Sequence, residues 1–166
     1  MNSSIIKRLV LLTGLPAAGK SSYGRWLEAN KGFVHIDLEN AKPEHADLIN
    51  IWWSICQGSD SVEAMLHAAG RPVAVDWGFP PHLYRWIQAA KDAGVQVWWF
   101  DGDRAAAHES FIRRGTVPVA ALNAQMTSIA NYWQNIEPIV GSSIIQSIKA
   151  GGSYEPPDAI FKQMFP

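Results

Sequence analysis

Apolar and polar residues alternate along the chain in two distinct patterns. Short continuous apolar runs, typical of strands buried on both faces of a parallel sheet, lie at 8–13, 33–37, 72–76, 95–100 and, less clearly, 143–148. Between them apolar residues recur at helical spacing, which predicts helices at 19–30, 44–56, 60–69, 81–93, 103–114, 119–136 and 157–164. Strands that alternate with helices predict a three-layer α/β/α fold, in which right-handed crossovers build a parallel sheet.

The length and composition fit one folded domain over residues 1–166. Of the 166 residues, 48% are apolar and 17% are charged, which argues against disorder. The basic and acidic side chains nearly balance, at a net charge of −1. This balance gives no general attraction for nucleic acid or an anionic membrane, although a local basic groove would still allow nucleic acid to bind. It leaves the oligomeric state open.

The single cysteine and the short apolar runs bear on the cellular compartment. Cys56 has no partner for an internal disulfide, and its apolar neighbours indicate a packed thiol rather than a nucleophile. No apolar run reaches the roughly 18 residues that cross a bilayer, and the first residues show no cleavable leader pattern. We therefore expect a cytoplasmic protein without a membrane partner.

A glycine-rich stretch follows the first predicted strand and precedes the first predicted helix. Residues 11–22 read LLTGLPAAGKSS, and the spacing from Gly14 to Gly19, Lys20 and Ser21 fits the pattern G-x-x-x-x-G-K-[ST]. In that pattern backbone N–H groups surround nucleotide phosphates, the lysine reaches the β- and γ-phosphates, and the hydroxyl binds Mg²⁺. The sequence therefore predicts a site for ATP and Mg²⁺, with GTP as the alternative nucleotide. Its residues are Gly14, Leu15, Pro16, Ala17, Ala18, Gly19, Lys20, Ser21 and Ser22.

Acidic residues follow three of the predicted strands, at the edge where parallel sheets bind ligands. They are Asp37, Asp76, and the pair Asp101 and Asp103. Asp103 directly precedes a helical stretch and is expected to cap it. A triphosphate site needs a carboxylate near Mg²⁺, and a phosphoryl acceptor needs a group that takes its proton. Asp37 and Asp76 are the candidates for these two roles.

Three stretches of the chain carry a resemblance to a known family. They read GLPAAGKSS, HIDLEN and VAVDWGFPPHLYRWIQAAKDAGVQVWWF, within residues 8–115. They resemble the small P-loop kinases grouped around polynucleotide kinase, zeta toxin, chloramphenicol phosphotransferase and gluconate kinase. The resemblance implies a P-loop NTPase fold with about five parallel strands, ordered 2-3-1-4-5, and a helical lid. It also implies that Asp37 is the general base beside the acceptor hydroxyl and that Asp76 either lies near Mg²⁺, together with Ser21, or shares in acceptor binding.

The chain departs from this family at the lid, where arginines usually fold over the phosphates. Arg113 and Arg114 occupy the later of two usual positions, whereas the earlier position falls near Glu109. We take Arg113 as the catalytic cation beside Lys20, with Arg114 and Arg104 as alternatives. The competing interpretation is that Arg113 and Arg114 are ordinary cations at a helix C-terminus.

A second departure lies within the glycine-rich stretch. Ala17 and Ala18 stand where many of the resembled kinases have Gly and Ser. Alanine leaves the backbone N–H groups free, so we expect a modest loss of adaptability and a motif that still functions.

The acceptor pocket is expected between residues 38–71 and the lid at 115–137. Its polar and aromatic candidates are Glu39, Asn40, His45, Trp52, Trp53, Gln57, Asn123, Gln125, Asn131, Tyr132, Trp133 and Gln134. Trp52, Trp53, Trp77 and Trp133 fit an aromatic pocket and ordinary core packing equally well. His35, inside the second strand, is expected to be structural.

Two functions are compatible with the motifs of the sequence. Metal-ligand Cys/His spacing, the dinucleotide pattern G-x-G-x-x-G and the hydrolase pattern G-x-S-x-G do not occur in it. The first function is a kinase that transfers the γ-phosphoryl group of ATP to a hydroxyl of a small molecule, a nucleotide or a polynucleotide end. The second is a nucleotide-binding switch with slow hydrolysis. Asp37 favours the kinase, and the departure at the lid keeps the switch open.

Overall fold

The computed structural model describes residues 8–115 and 118–166. Residues 1–7 and 116–117, which belong to the predicted domain and lid, lie outside the described residues. Five strands form one sheet: β1 (Leu9–Gly14), β2 (Val34–Asp37), β3 (Val73–Asp76), β4 (Gln96–Gly102) and β5 (Ile144–Ile148). All five predicted strands are present.

The sheet is parallel throughout, and its strand order is β2-β3-β1-β4-β5, as predicted. β1 lies at the centre between β3 and β4, so the residues that follow it emerge in the middle of the carboxyl edge. The register pairs Asp37 with Asp76, which places the two predicted carboxylates side by side on neighbouring strands. The fold thus delivers the glycine-rich loop and both carboxylates to one edge.

Seven α-helices connect and cover the strands of the described chain. They are α1 (Lys20–Lys31), α2 (Ala46–Cys56), α3 (Val62–Ala69), α4 (Tyr84–Asp92), α5 (Arg104–Arg114), α6 (Val119–Val140) and α7 (Pro157–Met164). Two short 3₁₀ turns, Pro43–His45 and Pro81–Leu83, precede α2 and α4. Within the described part of the chain no helix is long and apolar enough to span a membrane.

Local sequence signals set several helix ends. Gly32, Gly70 and Gly115 adopt the left-handed conformation directly after α1, α3 and α5, where a side chain would be strained. The Asp103 carboxylate accepts a hydrogen bond from the N–H of Ala106 at 2.8 Å. The predicted capping role of Asp103 is therefore confirmed, since its carboxylate satisfies a free donor in the first turn of α5.

α6 is longer than the predicted helix at 119–136. It continues to Val140 although Pro138 lies in its last turn, where proline lacks the N–H for one helical hydrogen bond. Ile136, Ile139 and Val140 are all buried, so packing of this last turn outweighs the single missing bond. Tertiary contacts therefore decide where α6 ends.

The tryptophans named for the acceptor pocket pack with the core instead: Trp52 and Trp77 are buried in it, and Trp53 and Trp133 are partly buried against it. The Trp77 ring lies 6.4 Å from Trp52 and 5.1 Å from Trp53, centroid to centroid. The Trp133 ring lies 5.3 Å from Trp99 of β4. None of these four rings lines the large cavity of the described structure. They hold α2 and α6 against the ends of the strands.

Candidate active site

The glycine-rich loop between β1 and α1, residues 14–19, needs unusual backbone angles. Gly14 has φ 128°, and a Cβ there would lie 2.2 Å from the Phe100 carbonyl oxygen, so only glycine fits. Gly19 has φ 84° at the start of α1. Ala17 adopts φ 56°, the left-handed region that costs a residue with a side chain about 1–2 kcal/mol. Its methyl group is buried in a small cluster with Phe111 and Leu122.

The carbonyl groups of this loop are bound by protein donors. The Tyr154 hydroxyl donates to the Ala17 carbonyl at 2.8 Å, and the Ser147 hydroxyl donates to the Ala18 carbonyl at 2.7 Å. The Lys20 ammonium donates to the Leu15 carbonyl. Three carbonyl oxygens of the loop are thus held by side chains of the protein.

The N–H groups of the same segment are available. Within the described chain, no backbone N–H of residues 17–22 donates to a backbone carbonyl, and the first such bond runs from Tyr23 to the Gly19 carbonyl at 2.9 Å. These donors lie at the amino terminus of α1, where the helix dipole adds positive potential. The loop is therefore suited to bind an anion such as a phosphate.

Lys20 begins α1 and is partly buried beside this loop. Burial lowers the pKa of Lys20 to about 8 from an ordinary 10.5. The charges of Asp76 and Glu39 act in the opposite direction and raise its pKa, whereas Arg114 lowers it. Desolvation is the largest of these effects, because removal of water penalises the charged ammonium. A phosphate in the loop would supply the missing counter-charge.

Asp37 ends β2 and lies at the rim of the cavity. One of its carboxylate oxygens accepts hydrogen bonds from the N–H groups of Glu39 and Asn40, at 3.0 and 3.1 Å. The other accepts from the side-chain amide of Asn40 at 3.3 Å. These bonds form a turn that orients the carboxylate, and the oxygen that accepts a single bond, Oδ2, keeps a lone pair for a further donor.

Asp76 ends β3 and is only 4% exposed. Its carboxylate pairs with the buried His35 ring across the neighbouring strand, with Nε2 and Oδ2 3.3 Å apart. The ring is seated over Gly24 of α1, where a Cβ would come within 2.3 Å of it. The His35 ring is therefore buried between the sheet and α1, where it pairs with the Asp76 carboxylate.

A cavity of about 1030 Å³ gathers most of the predicted site residues. Gly14, Pro16, Ala17, Ala18, Gly19, Lys20, Ser21, Ser22, Asp37 and Asp76 all line it. Leu15 is buried outside the lining. Of the acceptor candidates, the cavity includes Glu39, Asn40 and Gln125.

The three arginines considered for the lid differ in their position relative to the cavity. Arg114 lines the cavity and is close enough to Lys20 to affect its pKa. Arg113 is exposed and does not belong to the lining. The exposed Arg104 pairs with the partly buried Asp101, at a distance of 3.8 Å. Arg114 is thus the member of the set that faces the glycine-rich loop.

The surroundings of Ser21 and Asp76 fit a magnesium ion. Both line the cavity, and Asp76 supplies a buried, hydrogen-bonded carboxylate at the carboxyl end of β3. Across the described residues, no three His, Cys, Asp or Glu side chains form a metal-binding group. One carboxylate and one hydroxyl are nevertheless a sufficient protein share for Mg²⁺, which usually keeps waters and substrate phosphates as its other ligands.

Several residues of the cavity are absent from the sequence-based set. Tyr154, Glu155, Pro157 and Ile160 come from the segment after β5 and from α7, and Phe79 comes from the turn after β3. The rule that ligand-binding residues follow parallel strands points to the segment after β5 as well. The apolar pattern of β5 is the least clear of the five, so this signal is weak in the sequence.

Comparisons with known proteins bear on this arrangement. No protein-family model matches the chain, and no curated protein matches it. Among solved structures, a sugar kinase from Janibacter sp. HTCC2649 is 14% identical, with a TM-score of 0.61, over 95% of this chain and 91% of that one. The chain has the fold of the small P-loop kinases.

Two further structures agree with this fold. A gluconokinase from Sinorhizobium meliloti 1021 is 16% identical, with a TM-score of 0.51, over 96% of this chain and 90% of that one. A shikimate kinase from Acinetobacter baumannii, in complex with shikimate, is 14% identical, with a TM-score of 0.53, over 95% and 90%. At such identities the likeness concerns the fold, and the chemistry must be argued from the site itself.

Proposed function

We propose that the protein is an ATP-dependent kinase that phosphorylates a hydroxyl group of a small molecule. The observation that carries the proposal is one cavity lined by two kinds of group: free N–H donors and Lys20 from the loop after β1, and Asp37 from the end of β2, two strands away. A switch that only hydrolyses ATP would not need a second, carboxylate-lined wall. The solved structures of similar fold, named as sugar, gluconate and shikimate kinases, support the same class.

In the proposed reaction, the acceptor hydroxyl oxygen attacks the γ-phosphorus of ATP. The bond from the γ-phosphorus to the β,γ-bridging oxygen breaks, and ADP leaves with that electron pair. The hydroxyl proton passes to Asp37, which the turn at residues 37–40 orients toward the cavity. The products are ADP and a phosphate ester, and the proton on Asp37 returns to solvent.

Cations on the opposite wall stabilise the charge that develops on the phosphoryl oxygens. Lys20 exchanges its hydrogen bond to the Leu15 carbonyl for contacts with the β- and γ-phosphates. Arg114 faces the same loop and takes the role that the sequence alone assigned to Arg113. Ser21 and Asp76 would hold Mg²⁺, which neutralises part of the phosphate charge when it is bound.

Transfer of labelled γ-phosphate to a panel of hydroxyl compounds tests this proposal. Asp37→Asn keeps the shape of the side chain and removes the base, so transfer should fall by about 100-fold or more. ATP affinity should change by less than about tenfold. Asp76→Asn should impair both Mg²⁺-dependent ATP binding and turnover, and Arg113→Ala serves as a control with a smaller loss than Arg114→Ala.

Two results would contradict the assignment. If Asp37→Asn transfers phosphate at the wild-type rate, Asp37 is not the general base. ATP hydrolysis that is never accompanied by transfer to any compound of the panel would favour the nucleotide-dependent switch over the kinase.

A further inference from the structure

The positive and negative side chains that line the cavity come from different elements of the fold. Its cations are Lys20, Arg25 and Arg114, which belong to α1 and α5. The ends of β2 and β3, together with α6, supply the negative and neutral polar groups. We refer to this part of the lining as the acceptor face. Its polar side chains are Asp37, Glu39, Asn40, Asp76, Gln125 and Ser128. The acceptor face therefore holds three carboxylates, two amides and a hydroxyl, and its described residues include no lysine or arginine.

The three carboxylates of the acceptor face differ in their partners. Asp76 is paired with His35, and Asp37 is bound by the turn that follows it. The Glu39 side chain makes no hydrogen bond or ion pair within the described chain, and its carboxylate lies 3.5 Å from the point where a Cβ on Gly78 would stand. It therefore reaches across from the end of β2 to the end of β3. Glu39 is exposed and its charge acts on Lys20, and its carboxylate has no hydrogen-bonding partner in the described chain, so it can accept bonds from an acceptor.

The triphosphate uses the positive groups of the cavity. Arg114 and Lys20 face the glycine-rich loop, and Arg25 is hydrogen-bonded to Ser22 in the first turn of α1 at 3.3 Å. A carboxylate or phosphate on the acceptor would then lie against Asp37 and Glu39, with no lysine or arginine of the acceptor face to pair with it. Like charges repel, so the carboxylates of the acceptor face would oppose a further anion bound beside them. Hydroxyl and ammonium groups are donors, and carboxylates accept strong hydrogen bonds from both.

We propose that the acceptor is a polyhydroxyl compound without an acidic group, neutral or bearing a protonated amine. This inference rests on the kinase function proposed above and adds the charge class of the substrate. Its physical basis is complementarity: the acceptor face offers hydrogen-bond acceptors and negative charge, so it selects compounds rich in donors.

A fractionated mixture tests the charge class of an acceptor that is still unidentified. Small molecules from a cell extract are divided on ion-exchange resins into acidic, neutral and basic fractions. Each fraction is incubated with the protein, Mg²⁺ and γ-labelled ATP, and labelled phosphate esters are counted. Label should enter the neutral or the basic fraction, at about tenfold or more above the acidic one.

A charge reversal tests the role of Glu39 with the same fractions. Glu39→Lys should raise the ratio of label in the acidic fraction to label in the other two by about tenfold, because it supplies the missing cation. Glu63→Lys makes the same change in charge at an exposed position on α3, outside the cavity, and should leave the ratio unchanged. Both variants are assayed at saturating MgATP, because Glu39 also acts on the pKa of Lys20, and a cooperative thermal unfolding transition excludes misfolding.

The outcomes separate the two proposals. Label chiefly in the acidic fraction overturns the charge class and leaves the kinase function intact. An unchanged ratio in Glu39→Lys overturns the part assigned to Glu39. Label in no fraction, from a protein that binds MgATP, overturns the kinase function and this inference with it.

Discussion

The protonation of Lys20 depends on what occupies the cavity. Its ammonium binds the Leu15 carbonyl and is partly shielded from water, and burial lowers its pKa to about 8. Asp76 and Glu39 offset part of this effect but do not cancel it. A bound triphosphate adds negative charge directly at the ammonium, so the pKa of Lys20 must rise on binding.

This shift predicts a pH dependence of ATP affinity. Below about pH 8 Lys20 is protonated with or without nucleotide, so the group adds no pH dependence there. As the pH rises above 8, binding must be accompanied by proton uptake, and affinity falls by up to about tenfold per pH unit. Calorimetry at about pH 9 in buffers of different ionisation enthalpy should reveal this uptake.

A matched variant isolates the contribution of Lys20. Lys20→Arg keeps a positive charge over this range, because the guanidinium does not lose its proton. Its ATP affinity should therefore lack the slope above pH 8. An equal slope in the two proteins would assign the titration to another group.

At the scale of single elements, α1 joins the nucleotide side of the cavity to the sheet. The helix starts at Lys20 and carries Gly24 one turn later, against the His35 ring of β2. Because His35 holds Asp76 of β3, the absence of a side chain at position 24 helps to position that carboxylate. A helix with Ala at this position would have the better intrinsic propensity, by about 1 kcal/mol.

Gly24→Ala should therefore destabilise the protein in spite of its helix propensity. The new Cβ would come within 2.3 Å of the His35 ring, and displacing a buried ring costs about 1–3 kcal/mol. Urea denaturation should show a net loss of up to about 2 kcal/mol in the free energy of unfolding.

The background of His35→Ala provides the control for this prediction. With the ring removed, the same Gly24→Ala change should become neutral or stabilising by up to about 1 kcal/mol. Destabilisation of equal size in both backgrounds would show that a contact other than His35 is responsible.

At the scale of the whole molecule, segments from opposite ends of the chain meet at the glycine-rich loop. Ser147 of β5 and Tyr154, in the segment that follows it, bind the carbonyls of Ala18 and Ala17. Tyr154 also covers Gly19, since a Cβ there would lie 3.3 Å from its ring. These contacts hold the loop carbonyls, so the N–H groups are oriented before any phosphate arrives.

Tyr154→Phe tests this long-range support. The variant keeps the ring and loses only the hydroxyl, so one hydrogen bond worth about 0.5–1.5 kcal/mol disappears. MgATP should bind about two- to tenfold more weakly, and thermal stabilisation by saturating MgATP should shrink accordingly.

Tyr132→Phe is the matched control, because Tyr132 lies on α6 outside the cavity lining. It should leave MgATP affinity unchanged. Equal affinities of Tyr154→Phe and the wild type would show that the loop keeps its shape without the hydroxyl.

The local patterns of the sequence determined the elements and their general arrangement. The run Leu9–Leu12, the spacing of Gly14, Gly19 and Lys20, and the acids after β2 and β3 predicted the strands, the loop and the carboxylates. The strand order followed from the resemblance and is confirmed. These features are readable because strand burial, turn conformation and helix capping depend on residues near one another in the chain.

Only the tertiary structure decided which side chains share the cavity. It brought in Tyr154, more than a hundred residues from the loop it binds, and it selected Arg114 over its neighbour Arg113. It packed the tryptophans with the core and paired the His35 ring with the Asp76 carboxylate. The rotation of a helix decides which of two adjacent residues faces the cavity, and the packing of distant segments decides what lies beside it. Neither leaves a local signal in the sequence.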